Sequence, residues 1–288
     1  MEGAYYNGQY LNRLERLGYS QAEIDNKLES TFEEMFYGPE GVRLCHCAGP
    51  DMMYIEDTGN HDVRTEGMSY AMMFCVQMNR QKEFDCLWRW VVTHMYLTEG
   101  ENAGYFAWSC HTDGSKNSDG PAPDGEEFFA MSLFFAANRW RSGEGVLDYA
   151  SWARRILHAC VHKGEEAGSG FPMWNPENHL IKFVPNCEFT DPSYHLPHFY
   201  ELFALWSDEC DRPFWHAAAA ASRQYLRKAC HARTGLSAEY AEYDGRPHRG
   251  DQPDRHDWFF SDAYRTLGNI ALDAQWFCLL YTSDAADE

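Results

Sequence analysis

Three carboxylates stand where three apolar helices should begin: Glu66 in Asp62-Val63-Arg64-Thr65-Glu66-Gly67-Met68, Asp124 in Pro123-Asp124-Gly125-Glu126-Glu127, and Asp262 in Phe260-Ser261-Asp262-Ala263-Tyr264-Arg265. Acids gathered among aromatic side chains are the apparatus of glycoside hydrolysis, in which one protonates the leaving oxygen and another activates water or attacks. That chemistry needs carboxyls of unequal acidity, which burial and neighbouring charges can set. A plainer reading stands beside it. Acids in a first helical turn are favoured by the helix dipole and satisfy free backbone N–H groups, so Asp124 and Asp262 could each be a cap and nothing more.

The elements that must position these acids are helical. Ser20-Gln21-Ala22-Glu23 is a capping-box pattern opening a helix to about Phe36, with Ile24, Leu28, Phe32 and Met35 on one stripe. Residues 42–60 read as irregular. An apolar helix then runs from Glu66 to about Asn79, with Thr65 as the expected N-cap, followed by an amphipathic one over about 82–97. After a long polar loop containing Tyr105-Phe106-Ala107-Trp108 the pattern recurs: an apolar helix from Asp124 to about Trp140, an amphipathic one over about 147–163, a third apolar helix from Asp191-Pro192 to about Trp206, its partner over about 213–229, and a fourth apolar helix from Asp262 to about Leu280. The marker acids Glu66, Asp124, Asp191 and Asp262 recur at intervals of about 60 to 70 residues. Alternating buried and exposed helices suit an inner ring wrapped by an outer ring, an all-α toroid that would bring the inner-helix N-termini and the three acids to one face. Four pairs leave such a ring unfinished. Residues 1–280 are therefore read as a single catalytic domain truncated at its C-terminus, and 281–288 as a tail foreign to the fold.

Composition narrows the partners. A formal net charge of -20 argues against nucleic acid and anionic membranes, and no apolar stretch is long enough to span a bilayer. Ten Trp and 17 Tyr supply faces that could hold sugar rings, although most should be core. The ten cysteines lack the spacing of a secreted scaffold and read as reduced, mostly buried thiols of a cytoplasmic protein. Cys45-His46-Cys47 has no second half, and His195 and His198, one turn apart, read as hydrogen-bonded core histidines in preference to metal ligands. No cofactor or metal is expected.

Five ordered motifs carry a family resemblance: Asp62 to Tyr70, Gly104 to Trp108, Gly120 to Glu127, Asp191 to Tyr200, and Phe259 to Arg265. Together they resemble glycoside hydrolase family 8, and within it the reducing-end xylose-releasing exo-oligoxylanases, over nearly the whole chain to about Phe277. The resemblance implies an (α/α)6 barrel and an inverting mechanism. It makes Glu66 the general acid, Asp262 the base acting on the attacking water, Tyr194 the residue that positions that water, and Asp124 the acid that holds the distorted sugar. Trp108 becomes a stacking platform, with Tyr105, Arg64 and Tyr264 as further substrate-binding residues. Inversion would set the Glu66 and Asp262 carboxyls roughly 6.5 to 9.5 Å apart, leaving room for water. Asp191 is assigned to capping, and Glu126 and Glu127 to the helix dipole. In the family the barrel continues past this chain's end, where a loop confers reducing-end specificity. The expected substrate is a short xylo-oligosaccharide. Endo-acting xylanase, glucanase or chitosanase activity, a sugar epimerase on the same toroid, and a non-catalytic sugar-binding fragment are the alternatives.

Overall fold

The computed structural model describes residues 3–165, 169–250 and 255–277. In chain order its helices are α1 (Ala4–Asn7), α2 (Arg13–Arg16), α3 (Gln21–Tyr37), α4 (Thr65–Gln77), α5 (Gln81–Trp90), α6 (Pro123–Trp140), α7 (Tyr149–His162), α8 (Pro197–Trp206), α9 (Arg212–Ala229) and α10 (Arg265–Phe277). Among the described residues, strands are confined to β1 (Cys45–Cys47) paired antiparallel with β2 (Met53–Ile55), and β3 (Asp62–Arg64) paired antiparallel with β4 (Ser109–His111). The expected tail 281–288 lies outside the described residues, as does the end of the last expected helix beyond Phe277.

The helical reading holds, with local corrections. The capping box at α3 is made in full: the Ser20 hydroxyl accepts from the Glu23 N–H and the Glu23 carboxylate accepts from Ser20. At α4 the cap is Arg64 and Thr65 is already helical, because the Thr65 N–H donates to the Trp108 carbonyl at 3.0 Å as the chain leaves β3. The helix expected from Pro192 is broken. A 3-10 turn spans Pro192–Tyr194, His195 and Leu196 leave helical geometry, and α8 restarts at Pro197. A proline ring clashes with a helical residue before it, so Pro197 prevents a continuous helix. The hairpin in the segment read as irregular is too short for a period-2 pattern to register.

The chain divides into two compact units. In the unit formed by 11–120 and 132–152, α4 is buried almost all round, through Met68, Ala71, Met72, Met73, Cys75 and Val76, while α5 buries one face. The Trp88 ring meets Trp152 edge-on at 5.4 Å, and its indole N–H donates to the Val146 carbonyl at 2.8 Å, so a large apolar ring is buried without stranding its polar atom. On β1 Cys45 is buried and Cys47, at the strand's end, is exposed, so only one of the two thiols of the Cys-His-Cys sequence meets solvent.

In the unit formed by 3–10, 121–131 and 153–277, α8 packs on α9, whose Ala218 and Ala219 permit a close approach. Trp215 meets Phe203 and Trp174 edge-on at 5.0 and 4.9 Å. His195 and His198 are core histidines: burial holds both down at about 3, hence neutral, and the two ring nitrogens of His195 meet the hydroxyls of Ser222 (2.9 Å) and Thr190 (3.0 Å).

Three helices of this unit are tied by one ion cluster. Arg223 on α9 donates to both oxygens of Asp273 on α10, at 2.9 and 2.7 Å, and also to Glu201 on α8. The Asp273 carboxylate is wholly buried. Asp273→Ala removes the partner of a largely buried guanidinium and should cost about 3 kcal/mol of unfolding free energy in urea titration.

Candidate active site

The first group of site residues is set by the junction of β3 and α4. Pairing of β3 with β4 places Arg64 opposite Ser109, directly after Trp108. Buried Asp62 accepts from the Ser109 hydroxyl at 2.9 Å and from Arg64 Nε at 3.0 Å. The oriented Arg64 guanidinium lies over the Trp108 ring, 5.2 Å from its centre. Glu66 follows in the first turn of α4, half-buried, with the Thr65 hydroxyl 3.4 Å from its carboxylate. Asp62, Arg64 and Trp108 thus form a chain of contacts that fixes an aromatic face and a cation within two residues of Glu66. Tyr105, expected as a substrate-binding residue, is 0% exposed. Its ring belongs to the interior, and among the aromatics of this loop it is half-buried Trp108 that keeps an accessible surface.

The second group gathers around a residue that the sequence reading quoted but gave no role. Arg265, the first residue of α10, donates from Nη1 to Asp124 Oδ2 at 2.8 Å and places Nη2 3.0 Å from Asp262 Oδ2. Its guanidinium lies over the Tyr194 ring at 5.5 Å. One side chain therefore brings together three expected catalytic residues: Asp124, Asp262 and Tyr194. Asp124 is 3% exposed, accepts from the Gly125 N–H at 3.0 Å, and has its carboxyl pushed up by burial against the pull of Arg265. Asp262 remains half-buried in a 3-10 turn, Ser261–Tyr264. The turn begins with Ser261 at φ 38°, a left-handed conformation that costs a non-glycine residue about 1–3 kcal/mol and is found mainly where surrounding structure enforces it. Tyr264 is 64% exposed.

Asp191 caps its short turn as expected, accepting from the Ser193 N–H at 2.7 Å, but it is also buried and its carboxyl is pushed up to about 8, with Arg265 and the Ser193 bonds opposing. Glu126 stands in the first turn of α6, where the helix dipole favours an acid, and Glu127 follows it. Both are wholly buried, and Glu127 accepts from the Tyr200 hydroxyl at 2.5 Å while burial holds its carboxyl well above the usual range. Glu239, paired with His256 Nδ1 at 2.6 Å and bonded to Ser261, supports the turn that carries Asp262. Nothing in a sequence of scattered segments points to Glu239 or His256. Arg265 carried one signal: a cation three residues after an acid at a helix start falls on the same face.

This set of groups can do acid–base work. A solvent-reachable carboxylate braced by a guanidinium can take a proton from water, and a buried acid raised by its surroundings can hold a hydroxyl of a bound sugar.

The chain matches the model of glycosyl hydrolases family 8 over residues 19–284. It is 56% identical over 277 residues to a reducing end xylose-releasing exo-oligoxylanase of Halalkalibacterium halodurans, covering 96% of this chain and 70% of that protein. The corresponding protein of Bifidobacterium adolescentis is 57% identical over 259 residues, covering 90% and 67%. A solved structure of such an enzyme from Paenibacillus barcinonensis, complexed with xylose, superposes with a TM-score of 0.94 at 56% identity, covering 96% of this chain and 73% of that one. The all-α fold is that of the (α/α)6 barrels of this family.

Asp191 makes stability depend on pH. Its folded value of about 8 lies above the ordinary 3.8, so the folded state keeps a proton that the unfolded chain has released. The contribution is complete below about 4 and is lost as pH rises to about 8. Asp191→Asn keeps the cap acceptor and removes the charge, and should flatten the fall in melting temperature across that window.

Proposed function

The chain belongs to glycosyl hydrolases family 8, and we propose that it releases xylose from the reducing end of short xylo-oligosaccharides with inversion at the cleaved carbon. In this reading Glu66 is the general acid. It protonates the glycosidic oxygen as the bond to the departing xylose breaks. Asp262 is the general base and draws a proton from the water that attacks the anomeric carbon from the opposite side. Tyr194 positions that water, Asp124 holds a hydroxyl of the distorted sugar, and Trp108 stacks against a sugar ring with Arg64 beside it.

The observation that carries the reading is the Arg265 bridge: one guanidinium braces Asp262 at 3.0 Å and Asp124 at 2.8 Å, with the Tyr194 ring against it. Such bracing suits a base that must keep its orientation through turnover. Arg265 acts here as a positioning residue. Exposed Tyr264 suits a contact with the more distant sugar units, whereas buried Tyr105 supports the loop that carries Trp108.

Among the described residues no helix is long and apolar enough to cross a membrane. We assign the chain to the cytoplasm on its cysteine usage, nine of the described thiols being free and most of them buried.

Glu66→Gln keeps the size of the side chain and removes the proton to be donated. Turnover of xylotriose should fall by about 10²–10⁴-fold with an unchanged circular dichroism spectrum. Near-normal turnover would rule out the acid role. Early products of longer oligosaccharides should be free xylose and the chain shorter by one unit; a spread of internal fragments would favour endo-action.

A further inference from the structure

Away from the acids discussed so far, α7 carries two histidines one turn apart, His158 and His162, and both face Asp211, the residue that precedes α9. His162 Nε2 lies 2.7 Å from Asp211 Oδ1, and His158 Nδ1 lies 3.7 Å from Asp211 Oδ2. One ligand atom from each residue falls within 4.8 Å of the other two. The imidazole rings are 4.6 Å apart at 35°, so both edges address the same carboxylate.

Asp211 occupies an N-cap position, where an aspartate ordinarily accepts from the first free N–H groups of its helix. Here it makes no side-chain cap bond. Its buried carboxylate is turned to the histidines instead. The far nitrogen of His162, Nδ1, meets Glu165 at 2.9 Å. With Glu165 accepting from Nδ1–H, Nε2 turns a lone pair toward the Asp211 side, which is the usual support of a metal-binding histidine.

We propose that His158, His162 and Asp211 form a binding site for a divalent cation of the zinc class, which staples α7 to α9. Two imidazole nitrogens and a carboxylate oxygen are a donor set that zinc takes at roughly 2.0–2.2 Å in tetrahedral geometry, with water completing the shell. Zinc at that centre would draw His158 toward Asp211 Oδ2, closing a gap too long for a hydrogen bond. The exposed thiol of Cys210, hydrogen-bonded to Asp211, is a soft donor beside the cluster and faces the same carboxylate.

The test uses the full chain without an affinity tag, reduced, stripped with a chelator and titrated with zinc chloride against a chromophoric zinc indicator. Melting temperature is followed in parallel. One zinc per chain should bind and raise the melting temperature, and magnesium should do neither. His158→Gln, at a side chain 45% exposed, should leave the metal-free melting temperature unchanged while weakening zinc by about tenfold or more. Asp211→Asn should weaken it likewise, and Cys210→Ser should retain it. Absence of stoichiometric binding, or equal affinity in wild type and His158→Gln, would overturn the site and leave a protonated histidine bridge in its place.

Discussion

A buried carboxylate that keeps its charge needs a cation, and around Asp124 this need organises the surroundings. Asp124 is removed from water at the mouth of α6, where an unpaired charge would cost several kcal/mol. Arg265 answers it. To do so the guanidinium must be delivered at the start of α10, and the preceding residues form a tight 3-10 turn entered through the left-handed Ser261. The same turn presents Asp262 to the other arm of the guanidinium. A requirement of burial at one acid thereby fixes the position of a second and braces the ring of Tyr194.

The other acid, Glu66, is prepared by shorter-range means. A ribbon of two three-residue strands holds Asp62, Arg64 and Trp108 in one contact chain, and the Thr65–Trp108 backbone bond ties the helix start to that ribbon. The two acids therefore rest on different physics. Glu66 takes its place from local backbone pairing, whereas Asp262 takes it from an ion pair closed over 141 residues between Asp124 and Arg265.

This contrast explains what could be read from the chain. The capping box at Ser20, the apolar run of α4 and the placement of acids at helix mouths are local patterns, and the helices follow them. The break between Tyr194 and Pro197 was also written locally, in Pro197, but the strong apolar run around it masked the signal. Burial of Tyr105, Glu126 and Glu127 was not legible, because composition marks a residue as aromatic or acidic without saying which side of a packed element it meets. Arg265 and Glu239 act through partners far away in sequence, and no local rule reports such pairs. His158 and His162 had helical spacing in plain view, yet their partner Asp211 lies 49 residues on from His162.

In the proposed mechanism Glu66 and Asp262 act on opposite faces of one sugar carbon. Proton NMR during the first minutes of β-linked xylotriose hydrolysis tests this most directly, by reading the anomeric form of the newly created xylobiose end before mutarotation. Inversion predicts the α-anomer as the first form seen. Initial appearance of the β-anomer would mean retention and would contradict the assignment of Glu66 and Asp262 as acid and base.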